Sequence, residues 1–234
     1  QEVAAGLTSS LVALACLRHF DPRAIVVVPG ACGAVGLALM QLAALRGMRA
    51  VGLVRGAERC AWLTKELGAA GGPKARGGAV SFVDLNAPDW HELAASLCDC
   101  HPDGTGGADG VIDGLGADLI VRAAERLVCT RGTLVSYGTL LGPPNQAELD
   151  AAMQSRNIRM VREDSQGLAG FVDGARQLQA TLAMAGGGQY RTFPWEVISW
   201  HDAADALVPQ PPWSKKATQF KENRIGRILL KFPT

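Results

Sequence analysis

The sequence predicts an α/β protein built on a doubly wound parallel sheet. Strand-like apolar runs alternate with helical patterns along most of the chain, and a glycine-rich turn joins the first strand to a helix. A polar or glycine residue follows each of these runs. Alternation at this spacing requires right-handed crossovers, and it produces a parallel sheet whose ligands lie beyond the carboxyl ends of the strands.

The elements follow in order. Apolar residues recur at helical spacing from Val3 to Leu17 and predict a helix over 2–20, which Asp21-Pro22 ends. Strands are predicted at 24–28, 50–54, 79–83, 110–113, 132–136 and 158–161. Helices are predicted at 35–45, 57–67, 89–97, 118–127 and 168–184, with Asp89 or Asn86 as the cap of the helix at 89–97.

The alternation stops after residue 188. The chain then reads as a short extended segment at 192–198, a short helix at 201–207 and a last strand at 225–231. This tail does not continue the sheet pattern, so we expect it to be a piece of a second domain. Its tryptophans either serve an interface with a partner or pack on that domain.

The glycine turn predicts a dinucleotide site. Gly30, Gly33 and Gly36 follow the first strand at G-x-x-G-x-x-G spacing and open the next helix. Glycine permits a sharp turn and a close approach to a pyrophosphate, which the helix N-terminus then binds. A plain turn that only packs helix on strand is the alternative.

Two arginines at the end of the second strand favour NADP over NAD. An NAD site usually has an acid there to bind the ribose 2′-hydroxyl, whereas this chain has Arg55, followed one helical turn later by Arg59. A guanidinium matches a 2′-phosphate bidentately. The alternative is a solvated surface arginine.

Composition excludes several classes of protein. The 234 residues carry a net charge of +1, which gives no case for nucleic acid or an anionic membrane surface. No apolar run is long enough to span a membrane. Six cysteines lack a disulfide pattern and indicate a reducing compartment. Cys98, Cys100 and His101 form C-x-C-H, which we interpret as a loop with free thiols because a second pair of metal ligands is absent nearby. No metal is therefore expected.

These motifs resemble the medium-chain dehydrogenase/reductase superfamily. The resemblance rests on VVVPGACGAVGLALMQLAALRGMRAVGLVR, DGVIDGLG, GTLVSYG and the terminal GRILLK, and it covers essentially the whole chain. The zinc-free quinone oxidoreductase and mitochondrial enoyl-thioester reductase branch is the most similar. The resemblance implies an interdomain helix at 1–20, an NADP-binding Rossmann domain at 21–188, and a return segment of a GroES-like catalytic domain at 189–234.

The resemblance also implies roles for individual residues. The pyrophosphate would be held by Gly30, Ala31, Gly33, Ala34, Val35 and Gly36. Arg55 and Arg59 would bind the 2′-phosphate, and Asp84 would lie near the adenine. The ribose and nicotinamide would be flanked by Thr8, Leu115, Gly116, Tyr137 and Gly138. Asn223 would close over the cofactor.

The family's catalytic residues belong to an N-terminal domain that precedes the interdomain helix. This chain begins at Gln1 without that domain, so it is expected to be part of a longer protein and its catalytic residues are unknown. The charged segment at 162–164 departs from the family pattern on the substrate side. His91, His101 and His201 have no accompanying nucleophile and are interpreted as surface residues.

Two functions are compatible with these features. The first is an NADPH-dependent reductase that transfers a hydride to an enoyl thioester, an enone or a quinone, with Tyr137 either packing on the cofactor or donating a proton. The second is a catalytically silent subunit that keeps the fold as a structural or interaction module. The resemblance also implies a mitochondrial location, with the cytoplasm as the alternative, and a homodimer formed through the strand at 158–161, possibly within a larger assembly.

Overall fold

A computed structural model describes residues 2–68, 79–99, 106–163, 196–199 and 228–231, together with residues 179, 183 and 190. Its helices are α1 (Glu2–Leu17), α2 (Ala34–Leu45), α3 (Ala57–Leu67), α4 (Trp90–Leu97), α5 (Ala117–Arg126) and α6 (Gln146–Arg156). Its strands are β1 (Ile25–Pro29), β2 (Arg49–Val54), β3 (Val80–Asp84), β4 (Ala108–Asp113), β5 (Val128–Ser136), β6 (Arg159–Arg162), β7 (Glu196–Ser199) and β8 (Ile228–Lys231).

The predicted doubly wound sheet is confirmed. Six parallel strands lie in the order β3-β2-β1-β4-β5-β6, and β7 and β8 form a separate two-stranded parallel sheet. The direction of winding reverses between β1 and β4. In sheets of this kind, ligands bind at the carboxyl ends of the strands where this reversal occurs.

Two apolar layers cover the sheet. One layer packs α1, α2 and α3 on one face, with Leu17, Leu39 and Leu63 fully buried. The other layer packs α4, α5 and α6 on the opposite face, with Ile120 and Leu149 buried in it. The central strands are buried on both faces, which explains why β1 reads as an unbroken apolar run rather than as an alternating one.

The sequence analysis did not predict α6. Only Leu149 and Ala152 of this helix are fully buried, so its apolar face is too narrow to give a helical period. The N-cap could have indicated this helix in the sequence. The Asn145 side-chain oxygen accepts the Ala147 N–H, and the Asn145 side-chain amide donates to Glu148, three residues later. Asn157, at a left-handed φ of 52°, ends the helix.

Other elements differ in their bounds. β5 begins at Val128, whereas the sequence analysis placed its start at residue 132. Arg131 takes a positive φ of 66°, and the pairing register with β4 shifts between Ala108 and Gly110. The first part of the strand is therefore irregular. Asp89 occupies the N-cap of α4, but its side chain makes no capping hydrogen bond. The predicted helices at 168–184 and 201–207 lie largely or wholly outside the described residues. No helix in the described part of the chain is both long enough and apolar enough to cross a membrane.

Candidate functional site

The glycine turn is fixed against the end of β2. Gly30 takes a positive φ of 68°, and its N–H and that of buried Ala31 both donate to the Leu53 carbonyl oxygen, at 3.1 and 3.3 Å. The Gly33 N–H donates to the Gly30 oxygen at 2.9 Å. These bonds fold the chain sharply from β1 into α2 and leave the main chain as the surface of the turn.

The N-terminus of α2 has no side-chain cap. Gly33 is the N-cap residue, and the first turn contains no acid. The amides of Ala34, Val35 and Gly36 lie in the turn whose N–H groups have no partner within a helix. A Cβ on Gly36 would meet the Gly30 carbonyl oxygen and lie 2.7 Å from the Ala31 Cα, so the helix packs directly on the turn. This cradle of amides fits the pyrophosphate of a dinucleotide.

Two arginines lie beyond the end of β2, of which Arg55 is exposed and Arg59 is half-buried. Arg55 directly follows the strand, and the Arg59 guanidinium donates to the Arg55 carbonyl oxygen at 3.1 Å. Within the described ranges, neither guanidinium forms an ion pair with a carboxylate. Their charge is therefore available to an anion at this edge of the sheet.

The Asp84 side chain accepts two main-chain hydrogen bonds beside these arginines. Its Oδ1 accepts the N–H of Gly56 at 2.8 Å and that of Asn86 at 3.0 Å. Gly56 has a positive φ of 98°, and it is the residue that follows Arg55. Asp84 thereby ties the end of β3 to the turn that carries Arg55, which the sequence pattern alone could not reveal.

The loops after β4 and β5 are joined by main-chain hydrogen bonds. Leu140 and Leu141 donate to the carbonyl oxygens of Gly114 and Leu115, at 3.1 and 2.8 Å. A Cβ on Gly30 would lie 3.1 Å from the Leu115 side chain, so this loop also packs on the glycine turn. The structure thus brings the predicted residues Leu115 and Gly116 to the same edge as the turn.

Tyr137 and Gly138 follow β5 at the same edge. A Cβ on Gly114 would lie 2.8 Å from the Tyr137 hydroxyl, so the phenol ring packs on the bare main chain of that glycine. Burial raises the pKa of this phenol above its ordinary value, with further contributions from Cys16 and Asp113. The Tyr137 phenol therefore keeps its proton at neutral pH.

A cleft of about 580 Å³ lies over the ends of β4, β5 and β6. Asp113, Gly116, Tyr137 and Gly138 line it, and Arg162 lies at the end of β6 on its wall. Part of the charged segment singled out in the sequence therefore borders this cleft.

The remaining predicted residues are spread more widely. Thr8 lies on α1 with an exposed side chain, and Asn223 lies outside the described residues. His91 is half-buried on α4 with its ring against the edge of Trp90, while His101 and His201 lie outside the described residues. His19, to which the sequence analysis gave no role, contacts Glu163.

The C-x-C-H segment is only partly a loop. Cys98 is fully buried at the end of α4, in the apolar layer with α5 and α6, so it is a core residue rather than a loop thiol. Cys100 and His101 fall outside the described residues. Across the part of the chain that the structure describes, no group of three or more His, Cys, Asp or Glu residues could hold a metal ion.

A family model described as zinc-binding dehydrogenase matches residues 34–167. A search of curated proteins finds no match.

Solved structures show the same fold. A mycobacterial protein, Rv1454c, solved in complex with NADPH, is 24% identical, with a TM-score of 0.69 over 98% of this chain and 64% of that one. A Pseudomonas syringae pv. Tomato DC3000 quinone oxidoreductase is 23% identical, with a TM-score of 0.69 over 95% and 62%. CurA from Vibrio vulnificus in complex with NADPH is 18% identical, with a TM-score of 0.72 over 98% and 63%. The chain therefore spans less than two thirds of the length of these proteins.

Proposed function

The chain belongs to the zinc-binding dehydrogenase family, and from that premise we propose that it is the NADP-binding part of an oxidoreductase that reduces an activated double bond. The proposed substrates are an enoyl thioester, an enone or a quinone. The observation that carries the proposal is the uncapped glycine turn at the start of α2 together with Arg55 at the end of β2. Two of the structural neighbours were solved with NADPH, and a third is a quinone oxidoreductase.

In this proposal, different residues at the carboxyl ends of the strands bind different groups of the cofactor. The amides of Ala34, Val35 and Gly36 bind the pyrophosphate, and Arg55, with Arg59 beside it, binds the 2′-phosphate. Leu115 and Tyr137 shape the nicotinamide end and exclude water from it. NADPH, when bound, supplies the hydride.

The proposal assigns no zinc site to the described residues. The family description names zinc, but the described residues hold no cluster of three or more ligand-type side chains. Structural zinc usually takes four protein ligands and catalytic zinc three. The tasks above therefore involve only the cofactor site and the cleft beside it.

The test is a titration of the chain with NADPH and with NADH, followed by nicotinamide fluorescence, for the wild type and Arg55→Ala. Hydrogen bonds to a charged group contribute about 1.5–3 kcal/mol, and the lower end applies at an exposed site. We therefore expect Arg55→Ala to weaken NADPH binding about tenfold and to leave NADH binding unchanged. Arg122→Ala, which removes an exposed arginine from α5, is the matched control and should change neither affinity.

The alternative function is a silent subunit that keeps the fold as a scaffold. It is favoured if neither nucleotide binds the chain, or if both bind weakly and Arg55→Ala has no effect. Equal affinity for NADPH and NADH would show that Arg55 is only a surface residue. NADPH binding without reduction of enoyl thioesters, enones or quinones by the full-length protein would reject the reductase while keeping the cofactor site.

We also propose a homodimer formed through β6. This strand is the last in the sheet order, and in the described sheet it pairs on one side only, with β5. An unpaired strand edge is a template for pairing with a second copy. Light scattering should give twice the mass of one chain. Arg162→Pro should shift it to one, because the Glu163 N–H donates to Ser136 of β5 and the Arg162 N–H therefore points away from β5, toward the open edge. A wild-type mass of one chain would reject the dimer.

The domain division remains a proposal as well. We propose that residues 189–234 belong to a second domain, which is supported by the separation of the β7–β8 sheet from the six-stranded sheet. The mitochondrial location implied by the resemblance stays a prediction.

A further inference from the structure

Asp113 is a fully buried acid at the end of β4, and the functions proposed above do not use it. Its side chain has no solvent exposure, and it lines the cleft over β4, β5 and β6. Within the described ranges no cation forms an ion pair with it. A buried acid without a cationic partner destabilises a fold unless its oxygens accept hydrogen bonds, so the contacts of this carboxylate indicate why it is there.

Both oxygens of Asp113 accept main-chain hydrogen bonds from the loop that follows. Oδ1 accepts the N–H of Leu115 at 3.1 Å, and Oδ2 accepts that of Gly116 at 2.8 Å. Only an ionised carboxylate offers two acceptors without a donor. An asparagine or a protonated aspartic acid would turn a donor toward one of the two N–H groups.

The loop held in this way has a conformation that few sequences adopt. Gly116 has φ 72° and ψ −142°, and Ala117, a non-glycine residue, has a φ of 52°. The Ala117 N–H donates to the Gly142 carbonyl oxygen at 2.9 Å, and a Cβ on Gly116 would run into that same oxygen. Two main-chain hydrogen bonds accepted by a single carboxylate hold the backbone in this sparsely populated region.

The same loop connects the two halves of the edge. Leu115 packs on Gly30 of the glycine turn, while its carbonyl oxygen accepts the Leu141 N–H. A change in the loop therefore alters the wall of the cleft without touching Arg55 or the end of β3, which lie at the opposite end of the edge.

The groups around Asp113 do not offset its charge. Tyr137 packs beside it and donates its main-chain N–H to the Asp113 carbonyl oxygen at 2.9 Å. Asp118 lies in the first turn of α5, and Arg162 and Glu163 border the same cleft. Burial raises the pKa of the Asp113 carboxyl to about 6, while the two amide hydrogen bonds lower it.

We propose that Asp113 is a positioning residue, whose carboxylate holds the Leu115–Gly116 loop in the shape that receives the nicotinamide half of the cofactor. This inference rests on the proposed function and deepens it, because it names the side chain that holds the loop at the nicotinamide end of the site. The adenosine half is bound elsewhere on the edge and does not depend on Asp113.

The test compares two ligands on the full chain. NADP⁺ contains both halves of the cofactor, whereas adenosine 2′,5′-bisphosphate contains only the adenosine half with its 2′-phosphate. Calorimetry should show that Asp113→Asn weakens NADP⁺ binding at least tenfold and leaves the bisphosphate affinity unchanged within twofold. Asp109→Asn is the matched control, since this carboxylate accepts the Ile25 N–H at 2.7 Å at the other end of the same strand. It should change neither affinity.

A pH series supplies the readout that a purely structural residue would not move. The ratio of the NADP⁺ affinity of the wild type to that of Asp113→Asn cancels the titration of the 2′-phosphate, because both proteins bind the same ligand. This ratio should fall toward one as the pH drops through about 6, where Asp113 takes up its proton. A ratio that does not change with pH would overturn the role of the carboxylate.

The outcomes separate this inference from the proposed function. Bisphosphate and NADP⁺ binding with no effect of Asp113→Asn would overturn the role of Asp113 and keep the cofactor site. Equal loss of both affinities would overturn it in favour of a general structural role. If neither ligand binds the wild type, both the proposed function and the inference fail.

Discussion

Replacing Gly36 with alanine tests how closely α2 packs on the glycine turn. Gly36 is buried in the first turn of α2. An added Cβ would meet the Gly30 carbonyl oxygen and lie 2.7 Å from the Ala31 Cα. Both obstacles are main-chain atoms, so neither can rotate aside and the helix or the turn must move.

Two opposing effects decide the result. Alanine favours a helix over glycine by about 1 kcal/mol, whereas overpacking a close-packed interior costs about 1–3 kcal/mol. Because the clash is with the backbone, we take the upper part of that range and expect Gly36→Ala to lower the free energy of unfolding by about 1–2 kcal/mol. Displacement of the turn should also weaken NADPH binding.

Gly68→Ala is the matched control for this substitution. Gly68 has right-handed helical angles, and among the described residues the nearest atom to its added Cβ would be the Thr64 methyl carbon at 3.6 Å. We expect this change to stabilise the chain by about 0.4–1 kcal/mol. Urea denaturation and NADPH titration measure both variants. If Gly36→Ala unfolds at the wild-type urea midpoint or above and binds NADPH with unaltered affinity, then α2 does not pack on the glycine turn as closely as described here.

Three further predictions concern groups with defined surroundings. Asp84→Ala should weaken NADPH binding about fivefold, because the Gly56 N–H loses its acceptor and the loss of this hydrogen bond costs about 1 kcal/mol of binding free energy. Asp84→Asn keeps an acceptor oxygen and should bind NADPH as the wild type does, and equal affinities of all three proteins would contradict this prediction. The pKa of Asp113 is about 6 in the folded chain against an ordinary 3.8, so between these two values the native state binds a proton that the unfolded state releases. The free energy of unfolding should therefore fall by up to about 3 kcal/mol as the pH rises from about 4 to 6. Urea titrations should show no such fall in Asp113→Asn, and a fall that persists in this variant would assign the effect to another group. Burial raises the pKa of the Cys16 thiol to about 12, so mass spectrometry should find it unmodified by iodoacetamide at pH 8 until the chain unfolds, and labelling at the rate of half-buried Cys32 would refute this.

Sequence patterns predicted the elements whose burial is continuous or periodic. β1 and β2 read as apolar runs because both of their faces are covered, and α3 falls at the predicted bounds of 57–67. α6 was missed because its burial depends on Leu149 and Ala152 alone, while its ends are determined by Asn145 and Asn157. Burial on a small face leaves little trace in hydropathy.

Some residues of the candidate site could be predicted from the sequence, and others could not. The positions of the glycine turn and of Arg55 follow from strand order, since the fold brings strand ends to one edge. The hydrogen bonds of Asp84 and Asp113 depend instead on main-chain N–H groups in turns with positive φ at Gly56 and Gly116. Such geometry leaves no periodic signal, because it depends on where a backbone atom points rather than on which residue type is present.

The docking of α1 has a consequence for how the chain folds during its synthesis. Ser10 and Tyr190 share a hydrogen bond across 180 residues, and Arg18 pairs with Glu163 across 145. At roughly 5–20 residues per second, a ribosome takes roughly ten to forty seconds to make these partners after α1 has emerged. Until residues 163 and 190 are made, α1 can pack on α2 but cannot form these two contacts. The position of α1 is therefore completed by residues that are synthesised long after the helix itself.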